Sequence, residues 1–331
     1  MQQSGVGPEI MKRRRYFKFF LFFILFSAGC AYISKHSSSS NRPATSDKIQ
    51  QSSSEASRES VNTPSNNSVA DLAAGPSTKE PIKLGLILGP GGVRAMAHAG
   101  VLQELHRNQI IPVGIVGIEW GALVAAYFAD RGDRYTAEWQ LGKIKEDQIF
   151  HRGVLTKGTS KDLTDMKKVF EENFSTRTVE SARIPMACPS FNLSKQKVYW
   201  MVKGPFAAML PYCLPSPGLW AATEQSTSHA LDYKSAVDFL RRQGANRIVL
   251  IQLLPASDRP FLKQVGSSEN QWWSLASLAG QQAMSMMDFT LQVKVDWVII
   301  NDLSQRKNAL ALGQQAGKEL VQWIQSQKTG E

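Results

Sequence analysis

Between Lys83 and Asp130 the chain passes twice from an apolar run through a glycine-bearing turn into a helical pattern, and this constrains the fold more than any other feature. The continuous apolar run Lys83–Leu88 has the length and composition of a buried strand. Pro90, Gly91 and Gly92 follow, and then Met96–Asn108 places Ala97, Gly100, Val101 and Leu105 on one helical face. The second passage is Ile111–Gly117 as a strand, a corner at Gly117-Ile118-Glu119-Trp120-Gly121, and an apolar helix over Gly121–Asp130. The corner has the layout of a nucleophile elbow, Gly-x-Ser-x-Gly, in which a serine sits on a sharp strand-to-helix turn. Here the serine position holds Glu119.

The alternation continues downstream. Ile184–Asn192, Lys197–Val202, Arg247–Leu254 and Val293–Ile300 read as strands, and Ser235–Gln243, Gln271–Asp288 and Leu310–Gln327 as helices. Apolar strands bounded by helices imply an α/β domain with a largely parallel sheet covered on both faces. Trp272 and Trp273, with Leu275, Leu278, Met284, Met286 and Met287, form an apolar stretch that reads either as core or as a lipid-facing surface.

The first eighty residues stand apart from this pattern. Lys12, Arg13, Arg14, Arg15 and Lys18 precede the apolar run Phe19–Phe26 and then Ser27-Ala28-Gly29-Cys30, the layout of a secretory signal over residues 1–30. That run is shorter than the roughly 20 residues of a spanning helix. Cys30 after Ala-Gly resembles a bacterial lipobox, with Ser27 where leucine is usual. Lipidation at Cys30 and a plain signal anchor are both open, with either Met1 or Met11 as the start. A lipoprotein with Ala31 after the cysteine is expected in the envelope, at the outer rather than the inner membrane. Residues 31–80, rich in Ser, Asn, Thr and Pro, hold too few large apolar groups to offset the entropy of ordering. They read as a tether before a domain spanning 81–331.

The formal charge is +10, but residues 1–30 carry five basic side chains against Glu9, so the remainder nets near +6. That scattered excess fits an ordinary surface or weak attraction to anionic headgroups. It lacks the clustered stripe of a nucleic-acid binder. Besides Cys30 only Cys188 and Cys213 occur, either as one disulfide of an exported protein or as two buried thiols. No Cys/His spacing suggests a metal site, and nothing calls for a cofactor.

The segment Lys83–Asp130 resembles the patatin-like phospholipase family. Its members show a Gly-Gly-Gly-x-Arg-Gly turn, a helix ending in Gly-Val-Leu, and then Gly-Thr-Ser-x-Gly-Ala. Here these stand as Pro90-Gly91-Gly92-Val93-Arg94-Ala95, His98-Ala99-Gly100-Val101-Leu102 and Gly117-Ile118-Glu119-Trp120-Gly121-Ala122. Fainter echoes are Pro211–Leu219, similar to a Ser-x-Ala-x-Pro stretch, and Val237–Leu240 with Gly244–Ile251, similar to the helix and strand after the family's Asp-Gly. The likeness runs from about Pro81 to Gln327. It implies a three-layer α/β sandwich with a mostly parallel central sheet. It also implies acyl hydrolysis by an elbow serine with an aspartate base, the turn's N–H groups holding the oxyanion.

Each part of that machinery is altered. Glu119 replaces the nucleophile, and Pro90 has no N–H to donate, while Gly91 and Gly92 keep theirs. The family's Asp-Gly-Gly has no clean counterpart, and Asp232 is the nearest carboxylate to the position of the dyad acid. A carboxylate at a helix N-terminus is favoured by about 0.3–1 kcal/mol. Glu119 therefore either accepts from Gly91 and Gly92 and fills the oxyanion turn, or faces solvent. Arg94 is placed to meet an anionic headgroup or to tie the turn to backbone carbonyls, and His98 reads as structural. The expectation is a non-catalytic patatin-like envelope protein, anchored at a membrane and binding a lipid, an acyl chain or an envelope protein. An acyl hydrolase working with other residues and an interaction protein using the old cleft are the alternatives.

Overall fold

The computed structural model describes residues 81–149, 160–254, 261 and 267–329. The proposed signal with Cys30 and the 31–80 segment lie outside these residues. The strands are β1 (Leu84–Leu88), β2 (Gly114–Gly117), β3 (Met186–Asn192), β4 (Lys197–Met201), β5 (Ser226–Ser228), β6 (Arg247–Gln252) and β7 (Phe289–Gln292). They form one sheet in the order β4-β3-β2-β1-β6-β7, with β5 also paired to β3. Pairings among β3, β2, β1, β6 and β7 are parallel, whereas β4 and β5 run antiparallel to β3.

Eight helices accompany the described strands: α1 (Met96–Arg107), α2 (Trp120–Arg131), α3 (Thr136–Lys143), α4 (Thr164–Phe174), α5 (Phe206–Cys213), α6 (Tyr233–Arg242), α7 (Ser267–Ala283) and α8 (Arg306–Thr329). Two successive steps in one direction, β1–α1–β2 and β2–α2–β3, place α1 and α2 on one face by the right-handed crossover rule. α8 packs along α1 on that side. α6 packs on β1 and β2 and against α7, and Gly85 and Gly114 point at Leu240 of α6. The result is a mixed α/β fold with a mostly parallel sheet between two helical layers. Leu86, Ile87, Leu88, Val116, Val249 and Leu250 have no exposed surface, each stabilising by about 1.5–3 kcal/mol on burial.

Three sequence expectations change. The strand Ile111–Gly117 is confined to Gly114–Gly117, since Pro112 cannot donate to a ladder. The strand expected at Val293–Ile300 lies instead at Phe289–Gln292, where Phe289 pairs with Val249 and Gln292 with Gln252. Beyond Gln292 the chain turns, with Val295 N–H on the Val293 carbonyl and Val298 N–H on that of Val295. The carbonyls of Asp296 and Val298 accept instead from the buried Arg94. The helix expected over Gln271–Asp288 accordingly ends at Ala283, followed by a 3-10 turn at Met284–Met286.

Cys188 in β3 and Cys213 at the end of α5 form a disulfide, with Cα atoms 6.1 Å apart and a sequence separation of 25. The bridge fixes α5, and the segment that follows it, to the sheet. Cross-linking a loop of this length is expected to stabilise by about 3 kcal/mol through the unfolded state. Cys213→Ser, or full reduction, should lower the urea midpoint by the corresponding amount. An unchanged midpoint would show that the link is energetically idle.

Candidate functional site

The sheet order reverses at β1, which has β2 on one side and β6 on the other. Ligand sites of open α/β sheets lie outside the strand carboxyl ends at such a point. The Gly89–Ala95 turn leaves β1 there, and the Gly117–Gly121 corner leaves β2 beside it, because the register sets Leu88 opposite Gly117. Ile118 N–H donates to the Leu88 carbonyl at 3.0 Å, tying the corner to β1. Gly121 is required by contact, since a Cβ there would sit 2.5 Å from the Leu88 carbonyl oxygen. Gly92 is required by conformation, with φ +53°.

Glu119 precedes α2 with φ 57° and ψ −131°, a strained backbone that costs on the order of 1–3 kcal/mol for a non-glycine residue. The elbow geometry is thus present, with an acid at its apex. The carboxylate turns inward. Oε2 accepts from Gly91 N–H at 3.1 Å and Gly92 N–H at 2.8 Å, and Oε1 accepts from Ser216 Oγ at 2.9 Å. Glu119 has no exposed surface. Burial pushes its carboxyl up to about 7, opposed by the N–H groups of Trp120, Gly92 and Gly91 and by the Ser216 hydroxyl. Of the two orientations open from sequence, the solvent-facing one does not occur.

Ser216 is the residue of this candidate site that sequence reasoning missed, although it lies in the Pro211–Leu219 stretch singled out there. Neighbouring bonds fix its backbone: Ser216 N–H to the Trp220 carbonyl, Leu219 N–H to the Ser216 carbonyl, and Ser228 N–H with Thr227 Oγ1 to the Pro215 carbonyl. Trp273 Nε1 donates to the Pro217 carbonyl at 2.8 Å. Trp120 stacks on Trp220 with centroids 5.0 Å apart, both rings buried, and Trp220 Nε1 donates to the Gln148 carbonyl. The Pro215–Trp220 segment reaches the buried Glu119 carboxylate through Ser216.

The remaining candidates act through the turn. Arg94 donates to the carbonyls of Val298, Leu253 and Asp296, and burial lowers it to about 10. Its guanidinium thereby ties the turn to two segments distant in sequence. Val93 N–H donates to the Ile300 carbonyl at 2.8 Å. His98 Nε2 meets the Gly89 carbonyl at 2.7 Å, so that nitrogen carries the proton. Burial holds the imidazole down to about 4, and it is neutral at physiological pH. Asp232 lies elsewhere: it caps α6 through Ser235 N–H and accepts from Trp200 Nε1, and it is not among Glu119's hydrogen-bond partners. In the apolar α7 stretch Trp273 is buried and Trp272 half-buried, while Leu275, Leu278 and Met286 are exposed.

An α/β fold with an elbow at its switch point and glycine N–H donors across from it defines the scaffold of an acyl-transfer hydrolase. Residues 86–247 match the family described as patatin-like phospholipase, and this part of the chain belongs to that family. Similar proteins include an uncharacterized NTE family protein of Mycobacterium bovis, 28% identical over 150 residues, covering 43% of this chain and 40% of that protein. A counterpart in Mycobacterium tuberculosis aligns with the same values. A patatin-like phospholipase domain-containing protein of Caenorhabditis elegans is 32% identical over 148 residues, covering 41% of this chain and 10% of its own length. The match therefore spans about two-fifths of the mycobacterial relatives and a small part of the nematode one.

The raised carboxyl has a signed consequence. Between its ordinary value of 4.5 and about 7, the folded chain holds a proton that the unfolded chain has released. Its stabilising contribution is therefore full below 4.5 and is lost as pH rises through 7, by on the order of 3 kcal/mol. His98, lowered from 6.5 to about 4, acts oppositely, its contribution being lost as pH falls. The measurable quantity is therefore the difference between wild type and Glu119→Gln in denaturant midpoints from pH 4.5 to 8. The amide can accept from Gly91 and Gly92 and donate to Ser216 without titrating, so the variant should gain relative stability as pH rises. Parallel profiles would mean that Glu119 does not titrate in this window.

Proposed function

We propose that this chain is an exported, membrane-anchored patatin-like protein of the cell envelope that does not hydrolyse esters and instead binds a lipid, an acyl chain or an envelope protein. The observation that carries the reading is the Glu119 carboxylate on the N–H groups of Gly91 and Gly92. Those donors are the ones a substrate's developing oxyanion would need, and the protein's own charge engages them. The apex also lacks a hydroxyl, and Pro90 offers no donor. The Cys188–Cys213 bridge supports export, because structural disulfides persist in oxidising compartments. The signal-like segment and Cys30 support an anchor.

A second reading rests on Ser216. Its hydroxyl donates to a carboxylate raised to about 7, and that carboxylate is in turn oriented by Gly91 and Gly92. A hydroxyl, a base within hydrogen-bond reach and a third group orienting the base make up an activated-nucleophile pattern. On that reading the chain is an acyl hydrolase with relocated chemistry.

Fluorophosphonate labelling and nitrophenyl-ester turnover separate the two. The native chain is expected to stay unlabelled and inactive. Glu119→Ser alone should also give no measurable esterase, since the added hydroxyl has no carboxylate base among the contacts observed around Glu119. Robust turnover by that variant would show the rest of the machinery to be intact. Labelling of the native chain that Ser216→Ala abolishes would replace the first reading with the second. Native mass spectrometry of the purified chain would identify what it carries.

A further inference from the structure

We propose that the outward face of α3 is a docking surface for an anionic lipid bilayer. This goes beyond the reading of the Glu119 site and stands whether or not that site turns over esters. α3 is amphipathic in the usual sense on one side only, with Ala137 and Leu141 buried against the domain. Its opposite side presents large rings where a solvated helix would carry polar groups. Trp139 is 66% exposed and Tyr135, one turn earlier, 54% exposed. No other tryptophan among the described residues is as exposed as Trp139.

Cations accompany both rings. The Arg134 guanidinium lies 4.8 Å from the Tyr135 centroid, and Lys143 Nζ lies 4.7 Å from that of Trp139. At the end of the helix, Lys143, Lys145 and Glu146 line an open groove with Ser304 and Arg306. Arg306 Nη1 donates toward the Leu141, Gly142 and Ile144 carbonyls, closing the end of α3. The local acids are mostly engaged within the fold. Asp133 accepts from Tyr135 and Thr136 N–H, and Glu138 accepts from Gln103, which leaves Glu146 as the exposed acid of the segment.

Tryptophan and tyrosine rings flanked by lysine and arginine suit a membrane interface. The ring body enters the boundary between headgroups and acyl chains while the cations meet lipid phosphates. Charge complementarity selects an anionic surface over a zwitterionic one. The exposed Leu275 and Leu278 of α7 carry no aromatic ring and have no such assignment.

The test uses the full chain on vesicles of phosphatidylglycerol and phosphatidylcholine carrying brominated acyl chains, which quench tryptophans that reach them. Wild type should show a quenched component that Trp139→Phe loses. The double variant Lys143→Glu/Lys145→Glu, or high salt, should diminish it. Vesicles of phosphatidylcholine alone should show no part of it that depends on Trp139. All three positions are exposed, so melting temperatures should match wild type, and an N-terminal anchor holding the chain on vesicles would leave the Trp139 readout intact. Equal quenching of wild type and Trp139→Phe on anionic vesicles would overturn the proposal. So would self-association without lipid that Trp139→Phe abolishes, which would assign the face to a second copy of this chain.

Discussion

The contact between the Glu119 carboxylate and the N–H groups of Gly91 and Gly92 joins the two strand–turn–helix units at the sheet's switch point. Buried N–H groups must find acceptors, and leaving a pair unmade costs about 1–3 kcal/mol each. In this chain one side chain satisfies both. The same carboxylate holds Ser216, and through it the segment that joins α5 to β5. The β1 turn, the elbow and the Pro215–Trp220 segment are thereby fixed to one another through a single buried acid. Its partners are hydroxyl and amide donors, and that is why burial outweighs them and raises the carboxyl to about 7.

The surroundings are built to keep that turn in place. Arg94 reaches the carbonyls of Leu253, Val298 and Asp296, His98 holds the Gly89 carbonyl, and Ile300 accepts from Val93. The observed bonds of Arg94 and His98 go to backbone carbonyls and not to Glu119, so both position the turn. A buried guanidinium that loses one of its three carbonyls would remain charged and underpaired, which is costly. The segment after β7 is therefore shaped by Arg94 as much as by its own sequence.

Much of this was legible beforehand. β1, α1, α2 and β6 follow from uninterrupted apolar runs and helical spacing, and the elbow from two glycines four apart. The Glu119 contact was one of two orientations that the sequence left open. The rest was hidden for specific reasons. Asp232 was the nearest carboxylate along the chain, yet short-range capping of Ser235 claims it. Ser216 stood between prolines in a stretch with no periodic signal, and its role arises from a bond across 97 residues. Val293–Ile300 alternates like a strand, but its carbonyls serve a side chain 202 and 204 positions away. Helix α3 is short, and the exposure of Trp139 has no signature along the chain, since apolar residues are read as core by default.

On the proposed reading, a glutamate in the place of an elbow serine also differs from a simple deletion of the nucleophile. A serine hydroxyl lies one bond beyond Cβ and stops short of the glycine N–H groups, leaving room for an attacked carbonyl between them. Glutamate carries its oxygens two carbons further, to the far side of that space. There Oε2 sits 2.8–3.1 Å from Gly91 and Gly92 nitrogens, the separation that an oxyanion donor needs. On the proposed reading, that one position therefore lacks the attacking atom and sets a carboxyl oxygen where the charge would have developed. The strained elbow remains useful under this exchange, because φ 57° at Glu119 is what aims its side chain across the gap. Relaxing that backbone would relieve strain, yet it would release two buried donors at once. On the proposed reading this coupling explains why the corner keeps a hydrolase's geometry in a chain that does not hydrolyse.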